Sequence, residues 1–143
     1  QPLLLKIETG LAVRNLPRLI VQAGSHHPVA VMIARGDLAM EVGTERLSEA
    51  QEEILWLCEA AHIPVVWATQ VLETLLKSDA PSRAEVTDAA MGQRAECIML
   101  NKGPYIIETI RFLAGILRRM DRHQFKKTAR LSALTSWRGA QPL

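Results

Sequence analysis

The chain has 143 residues, 48% hydrophobic and 22% charged, a balance that supports a packed core and excludes a disordered polymer. No apolar run approaches the ~20 residues a membrane helix needs, and residues 1–7 are too short and wrongly flanked for a secretory signal. A cytoplasmic protein is therefore expected, its first residue, Gln1, read as a cut point within a longer chain. The net charge of +2 is uneven: residues 118–130 carry +5, leaving −3 elsewhere. With Phe125 its one Phe, Tyr or Trp and no nucleic-acid motif, the basic stretch reads as a solvated helix end and tail, and neither nucleic acid nor membrane is an expected partner.

Four short apolar runs, 3–7, 29–34, 65–68 and 97–100, predict strands, each followed by a segment with helical periodicity. Their starts lie about 26 to 36 residues apart, the length of a βα unit. The runs are nearly continuous rather than alternating, which predicts parallel strands covered on both faces. After the first run, Leu16, Leu19, Ile20 and Ala23 share a helix face, with Asn15 as candidate cap and Gly24 as terminator. After the second, Leu47, Ala50, Ile54, Leu57, Cys58 and Ala61 form a stripe, with Thr44 or Ser48 as caps. The third crossover is helical over 71–76, broken at Ala80-Pro81-Ser82, and resumes over 84–91. The last helix sets Ile106, Ile110, Leu113, Leu117 and Met120 on one side. Cys58 and Cys97 are read as buried thiols and Trp56 and Trp67 as core residues; Trp137 belongs to a basic, polar tail over 126–143. Strand–helix alternation gives an α/β parallel sheet, either a small open sheet or half of an eight-stranded barrel.

Polar residues gather where the apolar runs end. Lys6 and Glu8 close the first, Arg35-Gly36-Asp37 the second, Thr69-Gln70 the third and Asn101-Lys102-Gly103 the fourth. Ligands bind at the C-terminal strand edge of parallel α/β folds. Glu8 and Asp37 would be two carboxylates on neighbouring strand ends, a hard oxygen pair suited to Mg²⁺ with water and substrate completing its shell. Asp37 opens a turn whose free amides suit a carboxylate, and Lys6 supplies positive charge for a developing oxyanion or phosphoryl group.

The motifs at these ends are specific. Leu5-Lys6-Ile7-Glu8, the segment IARGDLAME at 33–41, PVVWATQVLETL at 64–75, Arg83-Ala84-Glu85 and Cys97-Ile98-Met99-Leu100 resemble, in order and spacing, segments of the pyruvate kinase family. The likeness runs over about residues 3–117. It implies a partial (β/α)8 TIM-type barrel, the fifth to eighth strands, over 1–125. It also implies Mg²⁺-dependent phosphoryl transfer from phosphoenolpyruvate to ADP, giving pyruvate. By the same resemblance Glu8 and Asp37 hold the metal, Lys6 and Thr69 are catalytic, and Arg35, Gly36, Asp37, Thr69 and Gln70 bind substrate. Thr69 would lie near the enolate face that accepts the proton.

Three departures modify that expectation. The family's Ser-Gly-Glu-Thr after the last strand is replaced by Asn101-Lys102-Gly103-Pro104-Tyr105, about four residues shorter. The segment 87–95 is about two residues shorter than the family's, which rotates a helix face by ~200°. The family's first four strands, potassium ligands, nucleotide contacts, lid and effector domain have no counterpart in these 143 residues. This chain alone is therefore expected to be inactive and to associate with itself through exposed half-barrel edges. The alternatives are a magnesium-dependent pyruvate-enolate carbon–carbon lyase, or a non-catalytic module for carboxylate binding or assembly.

Overall fold

The first strand, β1 (Leu3–Ile7), pairs in parallel with β2 (Val29–Ala34), and β3 (Val65–Ala68) and β4 (Cys97–Ile98) follow in sequence order, giving a four-stranded parallel sheet β1-β2-β3-β4. This computed structural model describes residues 1–78, 80–125 and 128–129. Between the strands run α1 (Gly10–Gly24), α2 (Arg35–Val42), α3 (Leu47–Ala60), α4 (Glu73–Ser78) and α5 (Arg83–Met91), and α6 (Ile106–Met120) follows β4. Short 3-10 turns lead into α3 and out of α5, and a small antiparallel hairpin, β5 (Gln124–Phe125) with β6 (Thr128–Ala129), follows α6. The rest of the expected tail, Trp137 included, lies outside the described residues.

Side chains alternate across a strand, so the two sheet faces separate cleanly. Ile7, Val31, Ile33, Val65 and Trp67 are buried and meet Leu16 and Ile20 of α1, Ile54 and Cys58 of α3, Ala89 of α5 and Leu113 of α6 in one core. The opposite face is not covered as the continuous apolar runs predict. Leu4 is 51% exposed, Lys6 is exposed, and Ala30, Met32 and Val66 are half-buried. The register Lys6–Met32–Val66–Cys97 runs straight across this open face. Cys97 is accordingly exposed rather than buried, because it sits on an edge strand and faces the open side. Only Ala34 and Ala68, at the C-terminal strand ends, are fully buried there.

The helices correct several expectations. α1 begins at Gly10, with the Thr9 hydroxyl accepting from the Ala12 amide at 3.1 Å, while Asn15 lies inside the helix and donates to the Leu11 carbonyl. Pro17 is tolerated within it, and Leu19 points outward. Neither Thr44 nor Ser48 caps α3, whose start is held by the preceding 3-10 turn. Trp56 is 59% exposed on the outer face of α3. On α6, Thr109 and Leu113 are buried and Ile116 and Leu117 packed, whereas Ile110 is exposed. β4 stops at Ile98 instead of reaching Leu100.

The connection before β4 is tightly wound and closely packed. α5 passes into the 3-10 turn Gly92–Arg94, and Gly92 lies so near Trp67 and Ile98 that a Cβ there would stand 2.8 Å from Ile98 Cδ1. Arg94 makes a two-toothed pair with Glu52 of α3, fixing the turn to the neighbouring helix.

Candidate functional site

The ends of β1 and β2 bring three of the sequence-derived residues together. Glu8 follows the last residue of β1, two positions after Lys6, and its side chain turns to the same side. Lys6 Nζ lies 2.5 Å from Glu8 Oε2 and 3.5 Å from Asp37 Oδ2, so both carboxylates converge on one cationic atom. The hydrogen bond and charge of Glu8 hold the Lys6 ammonium above its usual pKa; desolvation opposes them, and the charge and hydrogen bond of Asp37 add less. Lys6 is therefore a fixed positive charge at neutral pH.

Asp37 belongs to the first turn of α2, where the sequence suggests only a turn. The helix starts directly from the strand, and no side chain caps it. Its first amides therefore depend on other partners. The Gly36 amide donates to Thr69 Oγ1 at 2.8 Å, and that hydroxyl donates to the Ala68 carbonyl at 2.7 Å. A Cβ added at Gly36 would lie 3.8 Å from Thr69 Cβ and Oγ1, in ordinary contact, so the ends of β2 and β3 approach closely here.

The backbone after β3 is unusual. Thr69, Gln70 and Leu72 all take positive φ, at 67°, 54° and 50°. Each such non-glycine residue costs roughly 1–2 kcal/mol. Arg35 restrains this turn. Its Nε donates to the Ala68 carbonyl at 2.7 Å, its NH2 to the Thr69 carbonyl at 2.6 Å, and its NH1 pairs with Asp88 of α5. The guanidinium also stacks over Trp67 at 4.6 Å. Arg35 is buried, and all three of its nitrogens serve protein groups.

A cleft of about 650 Å³ opens beside this turn, lined by Gly36, Asp37, Thr69, Gln70, Glu85 and Asp88 among others. Lys6 and Glu8 lie outside it, and Asp37 is common to both groups. A larger concavity, about 810 Å³, runs along the outer face of α1, where Arg18 is the one charged liner. No carboxylate lines it.

The replaced fourth loop folds down onto α4. Asn101 Nδ2 donates to Glu73 at 3.2 Å, Glu73 also pairs with Lys77 at 2.6 Å, and the Tyr105 amide reaches the Leu76 carbonyl. Gly103 sits so close that a Cβ would lie 2.7 Å from that carbonyl oxygen. The described loop thus contributes none of its side chains to the cleft beside Thr69. Sequence reasoning missed Asp88, whose partner lies 53 positions away; the one available signal was its place on the inner side of the resumed helix.

Among the described residues no group of three or more His, Cys, Asp or Glu gathers to hold a metal. Glu8 and Asp37 remain a two-carboxylate donor set already converging on a cation, which fits a hard divalent ion that keeps most of its shell as water and substrate oxygen. No helix among the described residues is long and apolar enough to cross a membrane.

The chain is similar to known proteins over most of its length. A family model described as pyruvate kinase, barrel domain, matches residues 2–110. A pyruvate kinase of Encephalitozoon cuniculi is 34% identical over 131 residues, covering 87% of this chain and 29% of the relative. One from Leishmania mexicana is 36% identical over 117 residues, 78% of this chain and 22% of the relative. Another, from Agrobacterium vitis, is 31% identical over 129 residues, 86% and 26% respectively. The chain thus spans 22 to 29% of the length of these relatives.

Proposed function

This chain belongs to the pyruvate kinase family, and from that premise we propose that it carries the metal and enolate side of a phosphoenolpyruvate:ADP phosphotransferase site. The observation that carries the reading is the convergence of Lys6, Glu8 and Asp37 at the C-terminal edge of a parallel sheet, one contact away from the Gly36–Thr69 turn. Its four strands are the second half of an eight-stranded barrel in this reading.

Glu8 and Asp37 hold Mg²⁺. The ion, when bound, offsets negative charge on the phosphoryl and enolate oxygens. Lys6 adds a second positive charge at the phosphoryl group being transferred. The amides at the start of α2 and the Thr69 hydroxyl bind the substrate carboxylate, which takes the Gly36 amide from Thr69 Oγ1 and the hydroxyl proton from the Ala68 carbonyl, with Gln70 beside them in the cleft. The bond from phosphorus to the enolate oxygen breaks, the bond to a terminal oxygen of ADP forms, and the enolate carbon takes a proton. Thr69 is the one hydroxyl among these residues and passes that proton on from solvent water. Arg35 acts by holding the turn rather than by touching substrate.

Strands from another polypeptide segment complete the barrel and bring the nucleotide contacts and potassium ligands. Free β1 and β4 edges favour association between copies where that segment is missing. The isolated chain is inactive, since phosphoryl transfer needs both substrates positioned.

Calorimetric titration of oxalate, an enolate mimic, with and without Mg²⁺ tests the reading. Binding is expected only with the metal and is expected to disappear in Asp37→Asn. Metal-independent binding, or none at millimolar oxalate, removes the proposed half-site from this chain.

A further inference from the structure

The left-handed turn at Thr69–Gln70 needs an external restraint, and the restraint itself rests on one carboxylate. Arg35 grips the Ala68 and Thr69 carbonyls from the end of β2. A guanidinium is an indifferent clamp unless its direction is fixed. Two things fix it: the Trp67 ring beneath it and Asp88 at its far end. Asp88 comes from α5 and ties that helix to Arg35 at the end of β2. Its position is set in turn by the capping box at Ser82 and Glu85 that starts α5.

We propose that Asp88 is a positioning residue for the carboxylate-binding turn, acting through Arg35 on Thr69. This rests on the reading that Thr69 and the Gly36 amide receive a substrate carboxylate. With the Asp88 charge removed, the guanidinium loses its anchor on α5, the grip on the Thr69 carbonyl loosens, and Thr69 Oγ1 no longer stands fixed before the Gly36 amide. Glu8 and Asp37 make no contact with this chain of bonds through their carboxylates, whose described partner is Lys6. Metal affinity and carboxylate affinity should therefore part company.

The experiment uses the 143-residue chain with Asp88→Asn, which keeps the side-chain shape, and Asp88→Glu, which restores the charge. Three quantities are read: hydrogen exchange of the Gly36 amide by NMR, Mn²⁺ affinity by electron paramagnetic resonance, and oxalate affinity in saturating Mn²⁺. Asp88→Asn is expected to speed Gly36 exchange and weaken oxalate by about tenfold each while leaving Mn²⁺ affinity unchanged. Asp88→Glu is expected to recover most of both losses. Unchanged Gly36 exchange overturns the proposal, as does a rise in exchange shared by all core amides or a loss of Mn²⁺ affinity in step with oxalate. If the unaltered chain binds no oxalate, the functional reading fails, and the Gly36 exchange still decides whether Asp88 positions the turn.

Discussion

Gln70 separates strain from chemistry. It is exposed, holds φ at 54°, and makes no hydrogen bond that would reward the conformation among those described for its side chain. A glycine there would relieve about 1–2 kcal/mol of left-handed strain and give back about 0.5–1 kcal/mol through the greater freedom of the unfolded chain. Gln70→Gly is thus expected to raise stability by roughly 0.5–1 kcal/mol in urea denaturation. If Gln70 also contacts substrate, oxalate affinity falls in the same variant. Opposite signs on the two measurements would show that the strain is kept for binding; a variant that is both less stable and equally good at binding would leave the side chain a structural role only. Thr69 cannot be tested this way, because its hydroxyl is tied to both Gly36 and Ala68.

At the level of elements, the link between α4 and α5 depends on Glu85. One of its carboxylate oxygens accepts from the Thr74 amide at 2.6 Å and the other from the Ser82 amide at 2.9 Å, joining the first turns of two helices across a break in the chain. Partial burial pushes this carboxyl up, but the hydrogen bonds from Ser82 and Thr74 outweigh it, and its pKa lies below the usual 4.5. A depressed folded-state value contributes stability above the unfolded value and loses it as pH falls through the folded one. Glu85→Ala is expected to cost about 1–2 kcal/mol near neutral pH. The difference from the unaltered chain should shrink as the pH drops below 4.5; a difference that stays constant into acid would mean that packing, not charge, is lost. The apolar runs made the strands legible, three of four matching to the residue, whereas Ser82 was read as part of the break between helices and is the cap of α5. α2 was not legible, because it begins inside the Arg-Gly-Asp motif with no capping side chain and only a weak apolar stripe. The start of α1 was obscured by Pro17, which reads as a boundary but sits mid-helix. Lys6, Glu8, Asp37 and Thr69 could be found because they punctuate strands, whereas the Asp88–Arg35–Thr69 connection exists only once helices from distant sequence meet.

The molecule as a whole is a parallel sheet with helices on one side only, an arrangement that leaves apolar surface without a cover. Leu3 and Leu4 on β1, Leu11 and Val21 on α1, and Ile107, Ile110 and Phe112 on α6 are all exposed. They belong to the elements at the two ends of the strand order. A two-fold axis parallel to the strands would pair β1 of one copy with β4 of another at both seams at once, completing eight strands and covering the open face. The same operation sets α6 of one copy beside α1 of its partner. α1 carries Arg14 and Arg18 with no acidic residue, and α6 carries three arginines against Glu108, so these neighbours are both net positive. Burial thus favours the pairing and charge opposes it, and salt decides between them, since screening shortens from about 10 Å at 0.1 M to about 3 Å at 1 M. Sedimentation of the chain over a wide concentration range should therefore show association that strengthens as salt is raised, and Leu4→Lys should disperse it. A monomer at every concentration and salt would show that the seams do not fit one another. The chain would then require strands whose flanking helices are acidic, which a second copy does not possess.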